Sequence, residues 1–214
     1  MQHSPSSSPG GLLNDPSFPL LSSFIYIQCY VEAISGIGLY CSYPEKDPAH
    51  PFDCSAQDRS MPRAYENTLS GNYTQGNPWD VQASHAPDAV IINLGTNDLC
   101  CNREQNATHY SYFIASYIDF VEKIAGRYNQ LNDGQHSTFF LASGPMRYNY
   151  AQAVKEVIQQ IQQRGIIDNQ VSFLDLYTDT EMTGCLGHPN YQQHQEAYVK
   201  ARQQIADVTG WTYL

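Results

Sequence analysis

Three short apolar runs, each followed by a stretch with apolar residues at helical spacing, constrain this chain more than any other feature. They are residues 89–94 (AVIINL), 137–142 (STFFLA) and 171–176 (VSFLDL). Behind the first, residues 108–131 carry Phe113, Ala115, Tyr117, Ile118, Val121, Ile124, Ala125 and Tyr128 at intervals of one to three. Behind the second, a helix from 149 or 150 to 164 places Val154, Val157, Ile158 and Ile161 on one face and stops at Gly165. Behind the third, a glycine-rich loop leads to a last helix at about 191–208. Apolar runs of this length suit strands covered on both faces, and strict strand–helix alternation is the pattern of a parallel sheet. The expected class is α/β, with a parallel sheet.

Upstream the pattern is less regular. Residues 1–11 are rich in Ser, Pro and Gly and are expected to be disordered. Asp15 and Pro16 suit a helix start, so 16–28 reads as a helix, although Phe24-Ile25-Tyr26-Ile27 also suits a strand. Residues 29–35 read as a strand ending at Ser35-Gly36-Ile37-Gly38. Residues 43–77 read as one long loop with Pro44, Pro48, Pro51 and Pro62; such loops are usually functional or poorly ordered. The remainder, 12–214, is expected to form one domain, since 214 residues suffice for one core and hardly for two.

Charge removes some functions. A formal net charge of −10 argues against nucleic acid or an anionic membrane as partner. No run approaches the roughly 20 apolar residues of a membrane helix, and the opening MQHSPSSSPGG does not read as a signal peptide. Asn72-Tyr73-Thr74 and Asn106-Ala107-Thr108 are glycosylation acceptors if the chain is exported. Six cysteines allow 15 pairings. A Cys41–Cys54 bridge is expected around the Pro-rich loop, while adjacent Cys100 and Cys101 need distant partners or leave one thiol free. No Cys-x-x-Cys or His-x-x-x-His spacing occurs, so no metal is expected.

The first run stops at Gly95-Thr96-Asn97-Asp98. Ligands of open α/β sheets sit where strands end at their carboxyl side, and an Asn amide there suits a developing oxyanion. Taken alone, the tetrapeptide fits a plain Asx turn better.

Three blocks in order change that balance: Ser35-Gly36-x-Gly38, Gly95-Thr96-Asn97-Asp98, and His188 before the last helix. Together they resemble the SGNH (GDSL-type) esterase superfamily, which implies a three-layer α/β/α, flavodoxin-like parallel sheet, here lacking its first strand. Residues 34–39 (ISGIGL), Met61-Pro62, Thr68-Leu69, Trp79-Asp80 and Gly184-Cys185-x-x-His188-Pro189-Asn190 look like carbohydrate esterase family two. Members of that family remove acetyl groups from xylan-like polysaccharides. The similarity runs over about 14–210, without the β-sandwich domain such esterases often carry in front.

The resemblance implies His188 as general base, with Asn97 and the Gly36 N–H as oxyanion donors. Cys185 stands where many members have an aspartate, so a backbone carbonyl at Leu186 or Gly187 would orient the imidazole. Trp79, Tyr43 and Asp98 would lie on the substrate side. His85, His109, His136 and His194 lack any such context and read as surface residues. The implied partner is an acetylated polysaccharide or small ester, with no metal or organic cofactor, for an extracellular monomer.

One block of the resemblance is missing. The sequence holds no Gly-Asp-Ser; Ser4, Ser6, Ser7 and Ser8 lack its neighbours, and no motif favours Ser35 or Ser143. The family's sheet order is 2-1-3-4-5, so the strand belonging with that block would be internal. Its flanking strands should then fail to pair or leave a groove. The alternatives are a non-catalytic carbohydrate-binding relative, an amino-terminally incomplete chain, or an esterase for lipid or other esters.

Overall fold

The computed structural model describes residues 29, 31–42, 60–67, 86–99, 106–131, 136–146, 150–178 and 181–212. In chain order they form α1 (Met61–Ala64), β1 (Ala89–Ile92), α2 (Thr96–Leu99), α3 (Ala107–Asn129), β2 (Thr138–Ser143), α4 (Ala151–Arg164), β3 (Val171–Asp175) and α5 (Tyr191–Thr209). A 3-10 turn, Cys185–Gly187, precedes α5.

The three strands pair in parallel in the order β1-β2-β3. Ala89 lies opposite Thr138 and Ile92 opposite Leu141; Phe139 lies opposite Val171 and Ser143 opposite Asp175. Side chains of a strand alternate between faces, and here both faces are apolar. Phe139 and Leu141 join α3 and α4 in the larger core, whereas Phe140 and Ala142 pack with Leu174 against Ala201, Ile205 and Val208 of α5. That double burial is why 137–142 shows no polar alternation. The architecture is the α/β/α sandwich expected from sequence.

Several ends of the long helices carry a chemical signal. The Asn106 Oδ1 accepts from the N–H groups of Thr108 and His109, capping α3. Gly165, with φ 56°, ends α4. At α5 the Asn190 side chain accepts from the N–H of Gln193 while the Gln193 side chain accepts from that of Asn190, a reciprocal box. Replacing Asn190 with alanine removes one arm and should cost about 1 kcal/mol, a fall in Tm of roughly 2–4 °C for a domain of this size. A thermal melt checks this.

Two expectations need correction. Residues 31–35 form no strand, and Val31 is 82 % exposed. A strand persists only where a neighbour satisfies its N–H and C=O groups. Among the described residues none lies beside β1 on its outer edge, where Ile91 is 52 % exposed. Among the described residues β1 is therefore the edge of the sheet. The second correction concerns 43–77: its described part is not all loop, because Met61–Ala64 makes a helical turn whose Met61 N–H donates to the Gly38 carbonyl at 2.8 Å. The expectations for 1–11, 16–28, Tyr43, Cys54, Asn72, Trp79, His85, Cys100 and Cys101 lie outside the described residues.

Candidate active site

All three parallel strands end at one edge of the sheet, and the loops that follow them carry the candidate residues. After β1 the chain passes Gly95 and turns at once into α2. Tyr150 lies against Gly95: a Cβ there would sit 2.8 Å from its ring. The Tyr150 hydroxyl donates to Asn93 Oδ1 at 3.0 Å, and Asn93 Nδ2 donates to the Gly144 carbonyl at 2.7 Å. Asn93, the polar interruption of an apolar run, thus ties the loop after β1 to the loop after β2. Burial raises the Tyr150 phenol above its ordinary pKa, so it stays a neutral donor.

The next two residues grip a distant turn. Asn97 Nδ2 donates to the Ile37 carbonyl at 2.8 Å. Asp98 is wholly buried, and its carboxylate accepts from three successive backbone N–H groups: Leu39 at 3.0 Å, Tyr40 at 2.9 Å and Cys41 at 3.0 Å. Burial pushes the Asp98 carboxyl up, and the N–H groups of Tyr40, Cys41 and Leu39 pull against that. Asp98, expected on the substrate side, is instead consumed by the backbone of 39–41. Its packing also dictates Gly38, where a Cβ would lie 2.3 Å from the Cys41 carbonyl oxygen and 2.7 Å from the carboxylate.

The gripped turn carries Gly36. Its φ of 73° sits at the third position of a turn closed by the Ile37 N–H and the Ile34 carbonyl, 3.3 Å apart. A positive φ there is what a type II turn demands, and glycine supplies it without strain. Tyr40 secures the other flank, its hydroxyl lying 3.0 Å from the His109 carbonyl and 3.1 Å from His109 Nδ1. His109, read from sequence as a surface residue, is half-buried on this contact; His136 and His194 are exposed.

His188 lies two strands away, in the loop between β3 and α5. It is exposed, and its Nδ1 sits 2.9 Å from the Cys185 carbonyl. That carbonyl lies one or two residues earlier than the positions expected, Leu186 and Gly187. The reason is the tightness of the turn: Leu186 and Gly187 have φ of 56° and 74°, and the His188 N–H itself returns to the Cys185 carbonyl at 3.2 Å. An imidazole that donates from Nδ1 to a carbonyl keeps the lone pair of Nε2 for proton transfer.

The structure therefore brings Asn97 and the Gly36 turn together, while His188 sits in the loop that follows β3, two strands from β1 in the sheet order. Ser143 is 1 % exposed, too deeply buried to reach a substrate, whereas Ser35 is exposed beside Gly36. Among the described residues no group of His, Cys, Asp or Glu is arranged to hold a metal ion, and no helix is long and apolar enough to cross a membrane.

Comparison with known proteins follows the same lines. Residues 59–198 match the family model for GDSL-like lipase/acylhydrolase. No curated protein matches the chain. Among solved structures it is similar to a family two carbohydrate esterase from Clostridium thermocellum in complex with cellohexaose, with 23 % identity and TM-score 0.60 over 83 % of this chain and 49 % of that one. It is also similar to an acetyl xylan esterase from the rumen bacterium Butyrivibrio proteoclasticus, with 19 % identity and TM-score 0.63 over 83 % and 50 %. A family two carbohydrate esterase from Cellvibrio japonicus gives 21 % identity and TM-score 0.60 over 82 % and 46 %. The chain thus spans about half the length of these structures. At such identities the likeness is one of fold.

Proposed function

The chain belongs to the GDSL-like lipase/acylhydrolase family, and from that premise we propose that it is an extracellular esterase acting on acetyl groups of a xylan-like polysaccharide. The observation that carries the reading is the Asn97–Ile37 hydrogen bond, which couples the side-chain donor after β1 to the turn bearing Gly36.

Ester hydrolysis requires a hydroxyl to attack the acyl carbon, a base to take its proton, and donors for the resulting oxyanion. A primary amide has two N–H donors. Asn97 gives one to the Ile37 carbonyl, which fixes the amide beside the turn that bears Gly36. The Gly36 N–H is the second donor, on a residue with no side chain to obstruct the acyl group. His188 is the base, poised by the Cys185 carbonyl: it takes the proton of the attacking hydroxyl, a group no Gly-Asp-Ser block supplies in this sequence, and returns it to the departing sugar oxygen. No metal or organic cofactor enters this scheme. Tyr43 and Trp79 keep their proposed place at the substrate, as do secretion, a Cys41–Cys54 bridge, glycosylation of the exposed Asn106, and a monomeric state.

A second reading is favoured by the sequence's lack of Gly-Asp-Ser: a carbohydrate-binding relative that retains the cradle without the attacking serine. Assays on p-nitrophenyl acetate and acetylated xylan separate the two. Release of nitrophenol or acetate above the buffer rate supports the esterase, and its absence alongside saturable sugar binding supports the relative. In the esterase, Asn97→Ala should lower kcat about 10²- to 10³-fold, the usual effect of deleting one oxyanion donor, with little change in KM.

A further inference from the structure

Asn97 reaches the Ile37 carbonyl from α2, a helix of only four residues that begins three residues after β1 ends. A helix that short has little rigidity of its own. Its one backbone bond back to the strand end runs from the Leu99 N–H to the Gly95 carbonyl at 2.9 Å. The aim of the Asn97 amide therefore depends on what holds residues 93–96.

Three of those four residues meet a single side chain, Tyr150. Its ring lies where a Gly95 side chain would stand, 2.8 Å from an added Cβ. Its hydroxyl donates to Asn93 Oδ1 at 3.0 Å and accepts from the Thr96 hydroxyl at 3.4 Å. Thr96 immediately precedes Asn97. Tyr150 is itself well anchored, because its carbonyl accepts from the Val154 N–H at 3.2 Å and opens α4, whose Ala153, Val154 and Val157 are buried. A long helix with a buried face thus lends its fixed position to a short one.

The ring and the hydroxyl have separable roles. Phenylalanine would fill the same space against Gly95. Asn93 is exposed, so water can replace the phenol at its Oδ1, and one such exchange changes net stability little. What phenylalanine cannot do is tie Asn93 and Thr96 to the start of α4. The hydroxyl is also not a group of the reaction itself, since Tyr150 is 4 % exposed and does not reach a substrate.

We propose that Tyr150 is a positioning residue, whose hydroxyl bridges Asn93 and Thr96 and so fixes the turn from which Asn97 presents its amide. The proposal rests on the reading of Asn97 as an oxyanion donor. Its test is Tyr150→Phe in the whole chain, read in two ways. In nitrogen-15 spectra the side-chain NH2 signals of Asn97, identified by their loss in Asn97→Ala, should shift and broaden. Those of the Asn129–Asn169 amide pair, which joins the end of α3 to the approach to β3, should stay in place. On p-nitrophenyl acetate, kcat should fall about tenfold with KM little changed, because a misplaced donor weakens the transition state and not substrate binding. Adding Tyr150→Phe to Asn97→Ala should cost nothing further, as expected of two residues acting through one group. Tm should stay within about 4 °C of the parent.

Unmoved Asn97 signals, losses that add fully in the double variant, or a larger fall in Tm would each overturn the proposal, the last by making the hydroxyl structural. Absence of hydrolysis in the parent, with the Asn97 signals still displaced by Tyr150→Phe, defeats the esterase reading and leaves Tyr150 as the residue that holds Asn97.

Discussion

Asp98→Ala is expected to lower stability by about 3–5 kcal/mol, the range for taking a charged acceptor away from several buried donors at once. The carboxylate accepts from the N–H groups of Leu39, Tyr40 and Cys41 at 2.9–3.0 Å, and alanine offers those donors nothing. A loss below their combined requirement is expected because the freed turn can move toward water. Asp98→Asn should be milder. Oδ1 already serves both Tyr40 and Cys41, so an amide oriented with its oxygen there keeps two bonds of three, while its NH2 faces the Leu39 N–H. Denaturant titration gives the ranking Asp > Asn > Ala, and amide exchange should accelerate at 39–41 before elsewhere. A midpoint shift worth less than about 1 kcal/mol for the alanine variant would mean that the turn is held by something else.

His188→Ala should be the largest kinetic change: ester turnover falling to the level without a base, a loss of 10³-fold or more in kcat by analogy with other nucleophile–base pairs. The side chain is exposed and its one described contact is to the Cys185 carbonyl, so the fold should be spared and Tm should move by less than about 2 °C. Loss of activity with unchanged Tm assigns the imidazole to chemistry. Activity surviving the substitution would remove His188 from the mechanism.

The parts of the architecture legible in the sequence were those under a single local demand. Phe139 to Ala142 had to be apolar on both faces, so the central strand showed itself as an unbroken run. Val154, Val157, Ile158 and Ile161 face one core, so α4 showed its period. The misreadings came where a distant partner decides. Residues 31–35 have strand-like composition, yet a strand is made by its neighbour, and none pairs with them here. Asp98 looked like a substrate contact because it adjoins Asn97. Its true partners are 57 to 59 residues away, a separation that no local pattern encodes. His109 escaped notice for the same reason, since its contact is Tyr40.

The span between Asp98 and residues 39–41 also bears on the order of folding. Closing a loop of that length carries an entropic penalty of about 3–4 kcal/mol, more than one such hydrogen bond returns on its own. The turn can therefore condense only when all three amides engage together, after the local α3–β2–α4 contacts have formed. In refolding experiments the turn at 34–41 should gain protection last, and on heating it should fray first. The proposed oxyanion cradle would then be lost at temperatures where the helices still persist.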